Sequence, residues 1–228
     1  MTLKAIIFDV DGTLAETEEA HRKAFNETFA NAGIDWRWSI EDYTRLLKTT
    51  GGKERMRRHR EDIGAGAPSD DEIARLHAEK TALYCGLISS GAVPLRPGVA
   101  AWIDEARAAG IRLAIATTTN RPNVDALSQA VWGCPAEEVF EVIAAGDEVG
   151  AKKPAPDVFL LALQRLGFGP GEAVAVEDSE NGLRSAKAAG LRVAVTPSIY
   201  TRNDAFEDAD WVLPSLERKE RPPELSFA

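Results

Sequence analysis

The sequence predicts an α/β fold in which a Rossmann-like parallel sheet forms the core and an all-helical cap domain is inserted into it. From residue 97 onward, short apolar segments alternate with segments of helical periodicity, which is typical of strands buried on both faces of a parallel sheet. Residues 3–9 form one more apolar segment, yet residues 18–90 carry helical patterns only. We therefore expect the core at residues 1–15 and 96–228 and the cap at residues 16–95.

The core elements follow from their apolar runs and from the residues that end them. Pro97 opens a helical stretch that Gly110 ends, and Gly167 and Gly190 end two later helices in the same way. The predicted strands cover residues 3–9, 111–117, 142–145, 173–177, 191–196 and 211–213. The predicted helices of the core cover residues 99–109, 122–132, 156–166 and 179–189. The charged tail at 217–228 is expected to be a loose surface end.

Helix start signals outline the cap. Residues 18–32 show helical spacing. The pairs Ser39 with Asp42 and Ser69 with Glu72 match the capping box that opens a helix. The insert is therefore expected to contain several helices and no strand.

Composition and charge exclude several classes of function. The 228 residues carry a net charge of −9, so a general nucleic-acid-binding surface, which needs an excess of lysine and arginine, is not expected. The sequence has neither a run of 18 apolar residues nor a signal-peptide pattern, so we expect no membrane partner and a cytoplasmic location. Cys85 and Cys134 are too few for a disulfide framework. We expect a monomer.

Two carboxylates stand where the first predicted strand ends. Asp9 and Asp11 lie in the segment DVDGT at residues 9–13. Carboxylates at the end of a buried strand are costly unless a cation or a reaction needs them. A simple turn would explain Asp11 and Gly12, but it does not explain Asp9, which ends the apolar run.

Further polar groups follow later strands of the predicted sheet. Thr117 ends the second strand, Lys153 follows the third, and Glu177 and Asp178 end the fourth. Because the carboxyl ends of parallel strands meet at the edge of the sheet where ligands bind, we expect these groups to converge with Asp9. Taken alone, Lys153 would be an exposed lysine in a turn, and the paired acids would be a helix cap.

These four motifs, in this order, resemble those of the haloacid dehalogenase superfamily over nearly the full chain. The resemblance implies that Asp9 is a nucleophile that forms an aspartyl phosphate, and that Asp11 protonates the leaving oxygen and later activates water. Thr117 would donate a hydrogen bond to the phosphoryl group, and Lys153 would screen its charge. Hard carboxylate oxygens suit Mg²⁺ as the cofactor. The expected Mg²⁺ ligands are Asp9, the backbone carbonyl of Asp11, Asp178 and, directly or indirectly, Glu177.

The helical insert narrows the resemblance to CbbY-type sugar-bisphosphate phosphatases. The matching segments are residues 9–18, 49–55 and 116–119. The substrate of this family is xylulose 1,5-bisphosphate, an inhibitor of the carbon-fixing carboxylase of the Calvin cycle. The resemblance therefore implies a small phosphosugar as the partner of this chain.

A basic segment in the cap suits a second phosphate. Residues 48–60 carry six lysines and arginines but one acid, Glu54, in a chain that is acidic overall. Gly51 and Gly52 let backbone amides approach a ligand closely, and Lys53 and Arg55 are expected to bind the phosphate that does not react. A solvated helix face is expected for Arg57, Arg58 and Arg60. The further expected substrate contacts are Glu16, Tyr43, Thr118 and Asn120.

Several of the cap assignments have a structural alternative. Glu16 is also consistent with a surface acid at a hinge, and Tyr43 with a core residue. His21 aligns, by resemblance, with a cap histidine of β-phosphoglucomutase, and we interpret it as structural. Linkers near Ala15 and near residues 94–97 would allow the cap to close over the ligand.

Two other functions remain open from the sequence. A mutase of the β-phosphoglucomutase kind needs the same residues, but its aspartyl phosphate must survive water until the sugar returns. A non-enzymatic phosphometabolite-binding protein is the third hypothesis, because a fold does not fix a function. The full set of acids and lysine argues against it.

Overall fold

The computed structural model describes residues 3–91 and 93–227, and its centre is a six-stranded sheet in which every strand pairing is parallel. The strands are β1 (Ala5–Phe8), β2 (Arg112–Ala116), β3 (Val142–Ala144), β4 (Ala173–Glu177), β5 (Arg192–Val195) and β6 (Trp211–Val212). Their order in the sheet is β3-β2-β1-β4-β5-β6. The predicted fold class is confirmed.

The strand order reverses beside β1. The chain runs from β1 to β2 and β3 on one side, then crosses to the other side and continues through β4, β5 and β6. Phe8 of β1 therefore pairs with Ile115 of β2 and with Val176 of β4. In open parallel sheets, the crevice at the carboxyl ends of the strands beside such a reversal is where ligands bind.

Four helices between β1 and β2 form the helical cap. They are α1 (Glu18–Asn31), α2 (Ile40–Leu46), α3 (Gly52–Asp62) and α4 (Asp70–Ser89). Both predicted capping boxes are present, since Ser39 Oγ accepts from the Asp42 amide at 3.0 Å and Ser69 Oγ accepts from the Glu72 amide at 3.3 Å. The cap also has its own buried apolar cluster, which comprises Phe25, Phe29, Trp36, Trp38, Tyr43, Leu46, Met56, Ile73 and Leu76.

Five more helices surround the sheet. They are α5 (Val99–Ala108), α6 (Arg121–Trp132), α7 (Ala136–Val139), α8 (Asp157–Leu166) and α9 (Glu180–Ala188). The predicted core elements begin and end within one or two residues of these bounds, and the single-turn helix α7 was not predicted. None of the helices in the described part of the chain is both long and apolar enough to cross a lipid bilayer.

The chain enters and leaves the cap at adjacent points. Ala15 and Leu95 form an isolated antiparallel bridge, which holds the two linkers side by side. The domain borders after residue 15 and before residue 96 stay a prediction, and this bridge is the observation that supports them.

The carboxyl-terminal tail is not the loose end that its composition predicts. Leu225 is fully buried, and its carbonyl accepts a hydrogen bond from Trp102 Nε1 at 3.1 Å. Arg221 Nη2 lies 2.7 Å from a carboxylate oxygen of Glu105 on α5. A buried tryptophan needs both apolar cover and an acceptor for its indole N–H, and the tail supplies both.

Candidate active site

A buried lysine connects two of the predicted carboxylates. Asp9 directly follows β1, Glu177 ends β4, and Lys153 lies in the loop between β3 and α8. Lys153 Nζ lies 2.7 Å from Asp9 Oδ1, 2.6 Å from Glu177 Oε1 and 2.8 Å from the Ala116 carbonyl oxygen. Although burial opposes the charge, Asp9 and Glu177 raise the pKa of Lys153 above its ordinary value, so the ammonium group stays charged.

Three buried carboxylates form a cluster that could hold a metal ion. Asp9, Glu177 and Asp178 each offer an oxygen, and these oxygens all lie within 4.8 Å of one another. Burial is the largest cause that raises the pKa of Glu177, to about 8, and it also raises the pKa values of Asp9 and Asp178. One lysine balances only part of this charge, so the cluster favours a divalent cation with oxygen ligands.

Asp11 lies beside this cluster and faces the cap. Its Oδ1 accepts hydrogen bonds from Thr17 Oγ1 at 2.5 Å and from His21 Nε2 at 3.0 Å. Burial alone would raise the pKa of Asp11, but the contacts with His21 and Thr17 lower it to about 2. Asp11 is therefore an ionised carboxylate in this arrangement.

His21 continues the contact from Asp11 into the cap. Because its Nε2 donates to Asp11, its Nδ1 is free to accept, and Lys80 Nζ of α4 lies 2.5 Å from it. The imidazole also stacks on Tyr84 with 3.9 Å between ring centroids. Sequence reasoning treated His21 as structural and missed Thr17 and Lys80. Thr17 and His21 are four residues apart, which places them on one helical face and could have indicated the pair.

Two adjoining cavities lie between the sheet and the cap. The smaller, of about 70 Å³, is lined by the predicted catalytic groups and will be called the catalytic cavity. These groups are Asp9, Asp11, Thr117 and Lys153, and the predicted metal ligand Asp178 lines the same cavity. The larger, of about 460 Å³, will be called the cap cavity. Both cavities share Asp11, Glu18 and Thr118, so they adjoin at these three residues.

Most of the predicted substrate residues line the cap cavity. They are Gly51, Gly52, Lys53, Arg55, Thr118 and Asn120. The lining also includes four residues that the sequence does not predict as site residues, namely Glu18, His77, Lys80 and Lys152. These four residues come from α1, from α4 and from the loop that precedes α8, so no single sequence motif joins them.

Two predicted substrate residues line neither cavity. Tyr43 is fully buried in the cap, where its hydroxyl donates to Glu18 at 2.7 Å and accepts from Arg55 Nη1 at 2.7 Å. Glu16 lies at the linkers, where its Oε1 is 3.2 Å from Arg96 Nε. Tyr43 is thus a buried residue of the cap that contacts Glu18 and Arg55, and Glu16 lies beside the linkers.

Comparison with known proteins places these features in a family. Residues 3–190 match the family model of haloacid dehalogenase-like hydrolases. The CbbY protein of Rhodobacter capsulatus is 65% identical over 216 residues, which is 95% of each chain.

Two crystal structures of CbbY from Rhodobacter sphaeroides are similar to this chain throughout. One, in complex with phosphate, is 55% identical, covers 95% of this chain and 96% of its own, and has a TM-score of 0.91. The other, an aspartate-to-asparagine variant in complex with xylulose 1,5-bisphosphate, is 53% identical, covers 99% of this chain and all of its own, and has a TM-score of 0.93. The chain is therefore a phosphatase of the haloacid dehalogenase-like hydrolase family, in the group of the CbbY proteins.

Proposed function

We propose that this phosphatase removes one phosphate from xylulose 1,5-bisphosphate, with Mg²⁺ as cofactor and an aspartyl phosphate on Asp9 as intermediate. The observation that carries the proposal is the cationic cap cavity that adjoins the catalytic groups. A similar protein, the CbbY variant from Rhodobacter sphaeroides, has been crystallised with this sugar bisphosphate. A ligand with two phosphates suits the two adjoining cavities, one phosphate in each.

The three clustered carboxylates fit the proposed Mg²⁺. The carboxylate oxygens are hard ligands, the three side chains are buried, and Lys153 balances only part of their negative charge. Asp9, Asp178 and the backbone carbonyl of Asp11 would hold the ion, with Glu177 beside it. When bound there, Mg²⁺ would neutralise charge on the phosphoryl oxygens.

Asp9 carries the first step of the proposed reaction. One of its carboxylate oxygens forms a bond to phosphorus while the bond between phosphorus and the sugar oxygen breaks. Lys153 keeps its positive charge and stabilises the transferring phosphoryl group. The hydroxyl oxygen of Thr117 accepts from the Thr119 amide at 3.2 Å, which leaves its proton free to donate to a phosphoryl oxygen.

Asp11 moves the protons in both steps. The incoming phosphate dianion repels the carboxylate and so favours the protonated form, which then donates its proton to the leaving sugar oxygen. Asp11 next takes a proton from water while the water oxygen attacks phosphorus. The bond between phosphorus and Asp9 breaks, inorganic phosphate leaves, and the Asp9 carboxylate is restored.

The cap cavity supplies the proposed site for the phosphate that does not react. Gly51 and Gly52 open α3 towards this cavity, and the amino end of a helix attracts anions. Lys53 and Arg55 on the same helix, together with Lys152 of the core, add positive charge.

Phosphate release tests the substrate. We expect Mg²⁺-dependent release of inorganic phosphate from xylulose 1,5-bisphosphate, with a higher kcat/KM than for xylulose 1-phosphate, which lacks the second phosphate. The variant Asp9→Asn should be inactive, because a neutral amide is a poor nucleophile. Formation of an isomeric sugar phosphate without phosphate release would indicate a mutase instead.

A pair of variants on α3 tests the second phosphate. Lys53→Met should raise KM for the bisphosphate by about tenfold, the loss expected for one charge-assisted hydrogen bond, and should leave the kinetics with xylulose 1-phosphate unchanged. Arg58→Met is the matched control, because Arg58 lies on the same helix but pairs with Asp62 within the cap. Equal effects of Lys53→Met on both substrates would contradict the proposed phosphate site.

A further inference from the structure

The cap touches the core at the rim of the catalytic cavity through Lys48. This lysine lies between α2 and α3, and its Nζ is 2.7 Å from Asp204 Oδ1 and 3.3 Å from Glu180 Oε2 of the core. Asn181 Nδ2 donates to the Lys48 carbonyl at 3.0 Å. Both the side chain and the backbone of Lys48 are therefore bound to the core.

Asp204, the core partner of Lys48, belongs to a turn that contacts Asp178, one of the three clustered carboxylates. The Asp204 amide donates to the Thr201 carbonyl at 2.8 Å, and the Thr201 hydroxyl lies 2.7 Å from the carbonyl and 3.1 Å from Oδ2 of Asp178. The second oxygen of Asp204 accepts from the Glu180 amide at 3.1 Å, at the start of α9. A displacement of Asp204 would therefore move Asp178 both through Thr201 and through the start of α9.

A second contact from the same cap segment reaches the catalytic lysine. The hydroxyl of Thr50, two residues after Lys48, donates to the backbone carbonyl of Lys153. Two neighbouring cap residues thus contact the segments that carry Asp178 and Lys153.

We propose that Lys48 and Thr50 are positioning residues that align Asp178 and Lys153 when the cap closes. The inference rests on the roles proposed above for those two core residues. It explains how closure over a ligand could be linked to chemistry, because the catalytic groups take their working geometry only when the cap contacts are made.

The strength of the contact suits a step that reverses in each turnover. The Lys48 side chain is 56% exposed, and an exposed ion pair shifts an equilibrium by no more than about fivefold. A contact of this kind forms on closure and breaks on product release. Its ammonium group is also already paired with two acids, which distinguishes Lys48 from Lys53 as a phosphate ligand.

A double-mutant cycle tests the Lys48 contact. Lys48→Met and Asp204→Asn should each lower kcat by about twofold to fivefold, the range that an exposed ion pair supplies, with little change in KM. Asn at position 204 can still accept from the Glu180 amide. If the two residues act as a pair, the double variant should be no slower than the slower single variant.

Two results would overturn the role of Lys48. A raised KM with unchanged kcat in Lys48→Met would make Lys48 a substrate ligand. Losses of kcat that multiply in the double variant would show that Lys48 acts independently of Asp204. Melting temperatures of all the variants separate these effects from loss of folded protein.

A conservative pair tests the Thr50 contact. Thr50→Val removes the hydroxyl at nearly constant volume and should lower kcat. Thr50→Ser keeps the hydroxyl and should retain most of the wild-type kcat. Arg58→Met serves again as the control within the cap and should leave kcat unchanged. Equal kcat values for Thr50→Val and Thr50→Ser would overturn the role of Thr50.

The choice of substrate separates this inference from the proposed function. If the wild type releases no phosphate from xylulose 1,5-bisphosphate, the proposed substrate is wrong, and the same variants are compared on p-nitrophenyl phosphate. The positioning role itself is wrong if Lys48→Met and Thr50→Val both keep the wild-type kcat on whichever ester the wild type hydrolyses.

Discussion

Lys80 is a basic side chain that is almost fully buried inside the cap. It is buried, with Nζ 4.6 Å from the centroid of the Phe25 ring and 5.1 Å from that of Tyr84. Burial is the largest cause that lowers the pKa of Lys80, to about 7, and Arg55 adds to it while Asp11 opposes it. Near neutral pH, this lysine is therefore partly uncharged and can accept or release a proton.

This lowered pKa predicts how stability depends on pH. Between about pH 7 and 10.5 the unfolded chain binds the Lys80 proton and the folded chain does not, so the free energy of unfolding rises with pH in that window. Lys80 alone should contribute about 2 kcal/mol between pH 7 and pH 9. Urea denaturation at both values should show this increment in the wild type and its loss in Lys80→Met.

A lysine on α1 provides the control for that measurement. Lys23 is 61% exposed and pairs with Glu19 only at 3.9 Å. Lys23→Met should keep the increment between pH 7 and pH 9 that the wild type shows. Retention of the full increment in Lys80→Met would mean that other groups cause the pH dependence.

Individual site residues could be predicted from the sequence when a strand fixed their position. Asp9, Lys153 and Glu177 meet because each follows or ends a strand of one parallel sheet, so their order along the chain implies one edge in space. No such rule governs Glu16 and Tyr43. The way in which cap helices dock on the core depends on their packing, and the sequence pattern does not encode it.

At the level of elements, α9 packs its backbone directly against the carboxylate of Glu177. A Cβ atom added at Gly182 would lie 1.9 Å from Glu177 Oε2, and the helix begins only a few residues after that acid. The absence of a side chain at Gly182 therefore allows Glu177 to reach Lys153. The helical pattern of residues 179–189 predicts the helix, but it does not predict this close approach.

Two glycine substitutions in helices should have opposite effects. Alanine is the better helix former by about 0.5–1 kcal/mol, so Gly86→Ala in α4, where the added Cβ meets nothing within 4 Å, should raise the melting temperature. Gly182→Ala should lower the melting temperature and should reduce kcat by at least about tenfold, because Glu177 must move. Calorimetry and phosphate release measure the two effects, and a stabilised, fully active Gly182→Ala variant would refute the close packing.

On the scale of the whole molecule, the carboxyl-terminal tail and the proposed catalytic groups lie in different regions. The proposed catalytic groups lie at the carboxyl ends of β1, β2 and β4 and in the loop after β3, under the cap. The tail instead covers Trp102 of α5, with Leu225 buried and Phe227 stacked at 6.5 Å between ring centroids. Composition could not predict this packing of the tail, because a few apolar residues among charges and prolines resemble a disordered end. The apolar tail residues find their partner only in the folded protein, on the face of α5 that carries Trp102.

Deletion of residues 218–228 should therefore lower stability without changing the chemistry. The deletion uncovers Trp102, leaves its indole N–H without the Leu225 carbonyl and removes the partner of Glu105. Loss of one fully buried leucine alone costs about 2–5 kcal/mol, so the melting temperature should fall clearly. Below that temperature, kcat and KM should match those of the full chain, because none of the described tail residues, 218–227, lines either cavity. A truncated chain with an unchanged melting temperature would show that the tail does not stabilise α5, and a lowered kcat in folded protein would show that the tail also supports the active site.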